Sequence, residues 1–434
     1  MEIIVRPKRE DYNVLLQRPR KETADLESIV SSVLQDVKAR GDVAVCEYEL
    51  KFDRAYIQDL RVSEAEIHEA ESLLSEDLRQ AIRAAHGNIA RFHEAQCMQP
   101  VKVETAPGVF CSQKSVPIQK VGLYIPGGTA PLFSTVLMLA TPARIAGCQE
   151  IVLCSPPDIE GRLHPAILYA ASVAGVCQIY KCGGIQAIAA MAYGTETVPR
   201  VSKIFGPGNQ FVTMAKQLVS LHDVAIDMPA GPSEVAIIAD DTANPVFVAA
   251  DMLSQAEHGR DSQAVLFTDS ETLAHEVVTQ VDQQLEVLGR RELAADALSH
   301  SKIFVLNDID QAFDICNEYA PEHLILAMDS VVEFDDRVVN AGSVFIGHYS
   351  CESAGDYASG TNHTLPTSGY AKAYSGVNID SFCRKITFQQ LTAEGVRSIG
   401  NTVEIMAEAE GLDAHRNAMR YRMEEVNLSN QTGR

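Results

Sequence analysis

Residues 120–154 read KVGLYIPGGTAPLFSTVLMLATPARIAGCQEIVLC and carry the strongest structural signal in the chain. A short apolar run precedes a loop with Gly and Pro, an apolar stretch of helical length and a second short run. Such alternation is typical of parallel strands joined by crossover helices. The stretch therefore predicts a βαβ unit.

The same alternation continues outward to residue 240, and its strand candidates end in loops that contain Gly or Pro. These loops are PGG at 126–128, SPP at 155–157, CGG at 182–184, GPGN at 206–209 and MPAGPSE at 228–234. Open parallel sheets bind ligands outside the carboxyl ends of their strands. We therefore expect the chemistry at these loops.

A second alternating set follows. A helix is predicted to begin at Asn244-Pro245 and to end at Gly259, and a long helical region is predicted from Glu271 to Leu298. The fold class is α/β, with two Rossmann-like doubly wound parallel-sheet domains. The predicted parts are an N-terminal arm (1–23), a first α/β domain (24–123 and 233–377), a second α/β domain (124–232) and a helical C-terminal tail (378–434).

Known nucleotide motifs are missing from these loops. GPGNQF lacks the third glycine of GxGxxG, and the chain has no GxxxxGK[ST]. Periodicity alone predicts an α/β enzyme with a cleft of nucleotide size.

Composition narrows the partners and the compartment. The chain has 434 residues and a formal charge of −22, which disfavours nucleic acid. Its ten cysteines form no CxxC pair, which is typical of a reducing compartment. No apolar stretch approaches the length of a membrane span. We expect a cytoplasmic protein that binds neither nucleic acid nor membrane.

Four segments carry candidate chemistry. Asp251, Gln255 and His258 share one helix face, although such a face is more often simply solvated. Glu322 and His323, in PEHL, offer two bases of different strength, or else a chance pair at a strand edge.

The other two segments look ordinary in isolation. The loop at 352–371 carries Glu352, Asp356 and His363, and its composition is that of an exposed loop. Glu410 and His415, in EGLDAHRNAM, would be surface residues.

Taken together, these segments resemble the histidinol dehydrogenase family over nearly the whole chain. The motifs are GLYIPGGTAPLFSTVLMLATPA, GGIQAIAAMAYGTE, KIFGPGNQFV, DMPAGPSE, DMLSQAEHG, NEYAPEHL, SAGDYASGTNHTLPT and EGLDAHRNAM. Several are long and specific, so chance does not explain them.

The resemblance implies one zinc ion per subunit and oxidation of L-histidinol, through histidinal, to L-histidine with NAD. The implied zinc ligands are Gln255, His258, Asp356 and His415, a nitrogen and oxygen set that leaves room for a substrate nitrogen. By the same resemblance, His323 accepts the alcohol proton, and Glu322 activates the water that hydrates the aldehyde.

The resemblance also implies binding residues and a partner. The zinc ligands and His323 would contact the substrate, together with Ser233, His363 and Glu410. Tyr124, Gln186 and Asn209 would contact NAD. The family forms homodimers in which the C-terminal tail enters the partner's site.

Other readings remain open. The same scaffold could oxidise another small amino or acidic alcohol, although Glu410 and His363 argue against this. A zinc hydrolase would not need the nucleotide-type loops, and a non-catalytic zinc scaffold would leave Glu322 and His323 without a role. Cys111 and Cys148 lack a basic sequence neighbour and are interpreted as structural thiols.

Overall fold

The computed structural model describes residues 1–19, 25–127, 130–229, 231–329 and 335–432. These form two compact units, one of residues 1–96 and 118–382, the other of residues 97–117 and 383–434. Parts of three predicted features, the arm at 20–23, the PGG loop at 128 and the MPAGPSE loop at 230, lie outside the described residues.

Strands and helices alternate through most of the first unit. The described strands are β1 (Glu2–Val5), β2 (Val101–Ala106), β3 (Val109–Pro117), β4 (Lys120–Tyr124), β5 (Glu150–Ser155), β6 (Gln178–Lys181), β7 (Lys203–Phe205), β8 (Ala225–Ile226), β9 (Glu234–Ala239), β10 (Gln263–Thr268), β11 (Lys302–Val305), β12 (His323–Ala327), β13 (Ser343–Ile346) and β14 (Cys383–Leu391). The described α-helices are α1 (Tyr12–Leu15), α2 (Leu26–Arg40), α3 (Asp42–Tyr48), α4 (Glu64–Ser72), α5 (Glu76–Glu94), α6 (Phe133–Ala146), α7 (Pro165–Val173), α8 (Gly184–Tyr193), α9 (Gln210–Ser220), α10 (Pro245–Ala256), α11 (Glu271–Glu286), α12 (Arg291–Ser299), α13 (Ile309–Tyr319), α14 (Glu352–Tyr357), α15 (Ala393–Ala409) and α16 (Asp413–Thr432).

A five-stranded parallel sheet has the order β6-β5-β4-β7-β8. Successive strand residues point to opposite faces, so Leu123 and Tyr124 enter two different apolar cores. Helices α4 to α7 cover one face, and α2, α3, α8 and α9 cover the other. The sheet is doubly wound, as the alternation from residue 120 predicted.

A six-stranded parallel sheet has the order β1-β11-β10-β9-β12-β13. Helices α10 to α12 cover one face, while α13 and Tyr12 of α1 cover the other. The predicted start of α10 is confirmed, since the Asn244 side chain accepts a hydrogen bond from the Val246 amide at 2.9 Å. The α/β class with two parallel sheets is therefore confirmed.

Three details differ from the sequence expectation. The predicted arm supplies β1, an edge strand, because its short apolar segment EIIV pairs with β11. Residues 26–94 pack on the five-stranded sheet and not on the six-stranded sheet as predicted, because amphipathic helices show only that one face is buried. The predicted helix from Glu271 is interrupted between α11 and α12, where Gly289 lies.

The second unit combines a small sheet with a helical pair. Strands β2, β3 and β14 form an antiparallel sheet, and α15 packs against α16. Helices in the C-terminal tail are confirmed, but the tail begins with the nine-residue strand β14, so its prediction as wholly helical is wrong. The chain order hides this strand because its partner, β3, lies more than 250 residues earlier.

No helix among the described residues is both long enough and apolar enough to cross a membrane.

Candidate active site

A pocket lies where the two parallel sheets of the first unit face each other. Gly206, Pro207 and Asp227 line it from the carboxyl ends of β7 and β8. Ser233, Glu322 and His363 line it from the other side. The expectation of chemistry at carboxyl ends therefore holds for one sheet only.

The six-stranded sheet presents the amino ends of its strands to this pocket. Ser233 and Glu234 stand at the start of β9, and Glu322 and His323 stand at the start of β12. The parallel register pairs His323 with Val235, which brings the two strand starts side by side. MPAGPSE connects the sheets, so it is a carboxyl-end loop of β8 and an amino-end loop of β9 at once.

Glu322 is a buried carboxyl group held by the backbone. Its Oε2 accepts a hydrogen bond from the Glu234 amide at 3.0 Å. Burial raises the pKa of Glu322 well above its usual range, and the amide hydrogen bond opposes that rise. Once ionised, such a carboxylate is a stronger base than an ordinary glutamate.

His323 is buried among three carboxyl groups. Its Nδ1 lies 3.8 Å from Glu322 Oε2 and 3.7 Å from Glu352 Oε1, and its Nε2 lies 3.7 Å from Asp356 Oδ1. Burial, assisted by the nearby His258, lowers the pKa of His323 to about 3. The imidazole is therefore neutral near pH 7, which is the form that accepts a proton.

A cluster of donor atoms lies beside this pair. One potential ligand atom from each of His258, Glu352 and Asp356 falls within 4.8 Å of the others. Gln255 is fully buried, and neither of its amide atoms finds a hydrogen-bond partner among the described residues. The same is true of both Glu352 carboxyl oxygens and of Asp356 Oδ1.

Such unpartnered atoms have a physical implication. A buried polar group without a partner costs free energy, typically about 1–3 kcal/mol. A cation with nitrogen and oxygen ligands could satisfy several of these atoms. Sequence reasoning placed Glu352 in this loop but did not propose it as a ligand.

His363 closes the same pocket. Its Nε2 lies 3.2 Å from the Thr135 hydroxyl of α6, and its Nδ1 lies 3.9 Å from Asp356 Oδ1. Burial lowers the pKa of His363 to about 4. The preceding Asn362 donates a hydrogen bond to the Met138 carbonyl at 2.6 Å, which anchors the loop.

Two predicted site residues belong to the second unit. Glu410 follows the last residue of α15, and His415 lies in the first turns of α16. Both side chains are exposed. The structure thus brings Ser233, Glu322 and His363 together at the pocket and places His258 and Asp356 in the donor cluster, while the roles of all predicted site residues, Glu410 and His415 included, stay predictions.

The predicted nucleotide contacts lie at the carboxyl edge of the five-stranded sheet. The buried Tyr124 hydroxyl accepts a hydrogen bond from the Gly184 amide at 3.2 Å. Gln186 donates to Glu49 Oε1 at 2.8 Å, while its own Oε1 is buried and finds no partner among the described residues. Asn209 caps α9 by accepting hydrogen bonds from two amides of its first turn.

The chain matches one protein family over nearly its whole length. The histidinol dehydrogenase family model matches residues 16–423. A histidinol dehydrogenase of Bacteroides fragilis is 60% identical over 426 residues, covering 98% of this chain and 100% of that protein. One from Vibrio parahaemolyticus is 52% identical and covers 96% of each.

The fold agrees as well. The crystal structure of histidinol dehydrogenase from Elizabethkingia anophelis superposes with a TM-score of 0.96 at 53% identity, covering 98% of this chain and 99% of that one. The chain belongs to the histidinol dehydrogenase family. Histidinol is the substrate of that family, so the chain is an oxidoreductase of histidine biosynthesis.

Sequence reasoning missed one further buried group, the Glu49 carboxyl. Glu49 lies in a π-helical turn, Glu49–Asp53, and its buried Oε1 accepts hydrogen bonds from Gln186 and from the Gly183 amide, each at 2.8 Å. Burial raises the pKa of Glu49 to about 8. Its segment EYELKFDR reads as an ordinary amphipathic helix, so no sequence signal marked it.

Proposed function

We propose that the chain oxidises L-histidinol to L-histidine in two NAD-dependent steps, with one zinc ion in each active site. The observation that carries this proposal is the buried pair of Glu322 and His323 beside a cluster of donor atoms without partners. Two buried bases next to a cation site can accept protons in two successive steps. The cation would hold the substrate in one orientation for both.

The residues present fit a zinc ion. Gln255, His258 and Asp356 would hold it, together with the partner subunit's His415. Support comes from the unpartnered Gln255 and Asp356 atoms and from a donor set without sulfur. Zinc would supply a Lewis acid that fixes a substrate nitrogen in place.

The residues also fit a dinucleotide. Tyr124, Gln186 and Asn209 would contact NAD at the carboxyl edge of a parallel sheet, where such ligands bind. The buried and unpartnered Gln186 Oε1 leaves an acceptor for a ligand donor. NAD would supply the hydride acceptor of each oxidation step.

The side chains of this chain then divide the proton transfers. His323, neutral near pH 7, accepts the proton of the substrate alcohol. Glu322 accepts a proton from the water that adds to the aldehyde, and its raised pKa makes the ionised carboxylate a competent base. Ser233 and His363 position the substrate within the pocket, and Glu410 pairs with a substrate nitrogen.

Assembly and location complete the proposal. The chain forms a homodimer in which each tail contributes Glu410 and His415 to the other subunit's site. A cytoplasmic location is supported by the cysteines, none of which forms a disulfide in the part of the chain that the structure describes.

Separate assays of the two half-reactions test the proposal. Glu322→Gln should slow oxidation of histidinal by roughly 10²–10⁴-fold, because only that step needs an activated water. Oxidation of histidinol to histidinal should change far less. The wild-type chain should form two NADH per histidinol. An equal loss of activity on both substrates would contradict the role assigned to Glu322.

A further inference from the structure

The main-chain amide that holds Glu322 belongs to a residue with an ion pair of its own. The Glu234 amide donates to Glu322, and the Glu234 side chain is itself buried. Whatever fixes Glu234 therefore also fixes the position of the amide that Glu322 depends on.

Arg18, in the N-terminal segment, makes two hydrogen bonds to the Glu234 carboxylate through its guanidinium group. Arg18 Nε donates to Glu234 Oε2, and Nη2 donates to Glu234 Oε1 at 2.8 Å. Nη2 also donates to the Tyr319 carbonyl at 2.7 Å, and the guanidinium carbon lies 3.9 Å from the centre of the Tyr319 ring. Bidentate and stacked contacts of this kind fix geometry more strongly than a point charge does.

The Glu234 carboxylate, besides pairing with Arg18, also binds the loop that carries His363. Its Oε1 accepts a hydrogen bond from the Ser368 amide at 3.1 Å, five residues beyond His363. Ser368 has φ +57°, a conformation that a serine holds only when its surroundings enforce it. The preceding Thr367 accepts a hydrogen bond from the Gly231 amide.

The charge balance shows what Arg18 contributes. Only 3% of the Glu234 side chain is exposed, so its negative charge depends on Arg18 for compensation. Without Arg18, an uncompensated carboxylate would stand beside Glu322 and oppose its ionisation, or Glu234 would take up a proton and release the Ser368 amide.

We infer that Arg18 is a positioning residue for the second half-reaction, acting through Glu234 on Glu322 and on the loop that carries His363. The inference rests on the proposed role of Glu322 in hydrating the aldehyde. Arg18 itself does not line the substrate pocket.

The first test compares the half-reactions in Arg18→Gln. Oxidation of histidinal should fall by roughly 10- to 100-fold, as expected for a base misplaced by about 1 Å, while oxidation of histidinol to histidinal stays within about threefold. Arg18→Lys keeps the positive charge but not the guanidinium that makes two hydrogen bonds to the Glu234 carboxylate. It should show a smaller loss, confined to the same step. Equal losses in both steps would show a merely structural role and overturn the inference.

Arg9→Gln is the matched control. Arg9 lies on the same N-terminal segment and pairs with Glu318 at 2.6 Å, but that pair is exposed. Its loss should leave both half-reactions unchanged. Hydrogen exchange gives a readout independent of activity, since the Ser368 amide should lose protection in Arg18→Gln and keep it in Arg9→Gln.

A double-mutant cycle separates this inference from the function it rests on. In a Glu322→Gln background, Arg18→Gln should cost little further histidinal oxidation, because the group it positions is already gone. Full additivity of the two losses would overturn the inference. If Glu322→Gln alone slowed both half-reactions equally, the assigned role of Glu322 would fail, whatever Arg18 does.

Discussion

At the scale of single residues, the site is defined by polar atoms buried without partners. Most buried polar groups in proteins are hydrogen-bonded, yet Gln255, Glu352 and Asp356 each carry a buried atom without a partner among the described residues, and Glu352 and Asp356 lie in one cluster with His258. Burial also separates the two bases, because it lowers the pKa of His323 and raises that of Glu322. Burial thus disfavours the charged form of both groups, which keeps His323 a neutral base and makes Glu322 a stronger base whenever it is ionised.

Zinc content tests the donor cluster directly. Asp356→Asn and Gln255→Ala should each lower the zinc retained after dialysis, because each removes a proposed ligand. Asp251→Asn, one helical turn before Gln255 and outside the proposed set, should retain it. Atomic spectroscopy gives the metal content, and exhaustive chelation should abolish histidinol oxidation until zinc is returned. Full activity in verified metal-free protein would refute the zinc role.

The sequence predicted some of these residues and not others, for a physical reason. Glu322 and His323 stand together as two candidate bases, whereas Asp356 was predicted as a ligand only through the family resemblance. Arg18 and Glu49 contact residues 216 and 137 positions away, and their local sequence resembles that of any solvated segment. A contact between residues far apart in the chain does not change the local sequence pattern around either of them, so sequence analysis does not detect it.

At the scale of elements, the two sheets contribute opposite ends to one pocket. The alternation of strands and helices predicted both sheets, because period and loop composition are local properties. It did not predict that the six-stranded sheet would present strand starts, since nothing local states which end of a strand meets the other sheet. As a consequence, the Gly- and Pro-containing loops of the five-stranded sheet lie opposite Glu322 and His323 of the six-stranded sheet.

A substitution at Gly206 tests whether the loop after β7 must pack directly against the backbone of β4. It has φ +127°, and an added Cβ would lie 2.1 Å from the Tyr124 carbonyl oxygen. Gly206→Ala should therefore destabilise the fold by more than about 2 kcal/mol and raise the KM for NAD. Chemical denaturation and steady-state kinetics measure the two effects.

Gly87→Ala is the control for that substitution. Gly87 lies on an exposed face of α5 with open space around it, so alanine should stabilise the fold by up to about 1 kcal/mol. A Gly206→Ala variant as stable as Gly87→Ala would contradict the steric reading of the loop.

At the scale of the whole molecule, the proposed site draws on two chains. Exposed Glu410 and His415 follow the small antiparallel sheet, in a unit built from two distant chain segments. The sequence predicted the α15 and α16 helices but not β14, whose pairing with β3 depends on a partner far back in the chain.

Mixed dimers test the proposed sharing of sites. His258→Ala and His415→Ala should each be nearly inactive alone. In a mixed dimer, one site receives an intact His258 from one chain and an intact His415 from the other. With equal amounts, about half of the dimers are mixed and each has one good site, so recovery should approach roughly a quarter of wild-type activity. Verified mixed dimers without recovery would place His415 in its own chain's site.

The strand β1, Glu2–Val5, has a practical consequence. β1 pairs with β11 along the register from Glu2 to Val5, and without it the edge of the sheet would be β11, whose side chains are largely buried and apolar. An unpaired edge of that kind recruits other chains. Recombinant chains that begin after β1 should therefore precipitate on warming or storage sooner than the full chain, even while they remain active. Affinity tags are better attached through a hydrophilic linker that leaves this pairing intact.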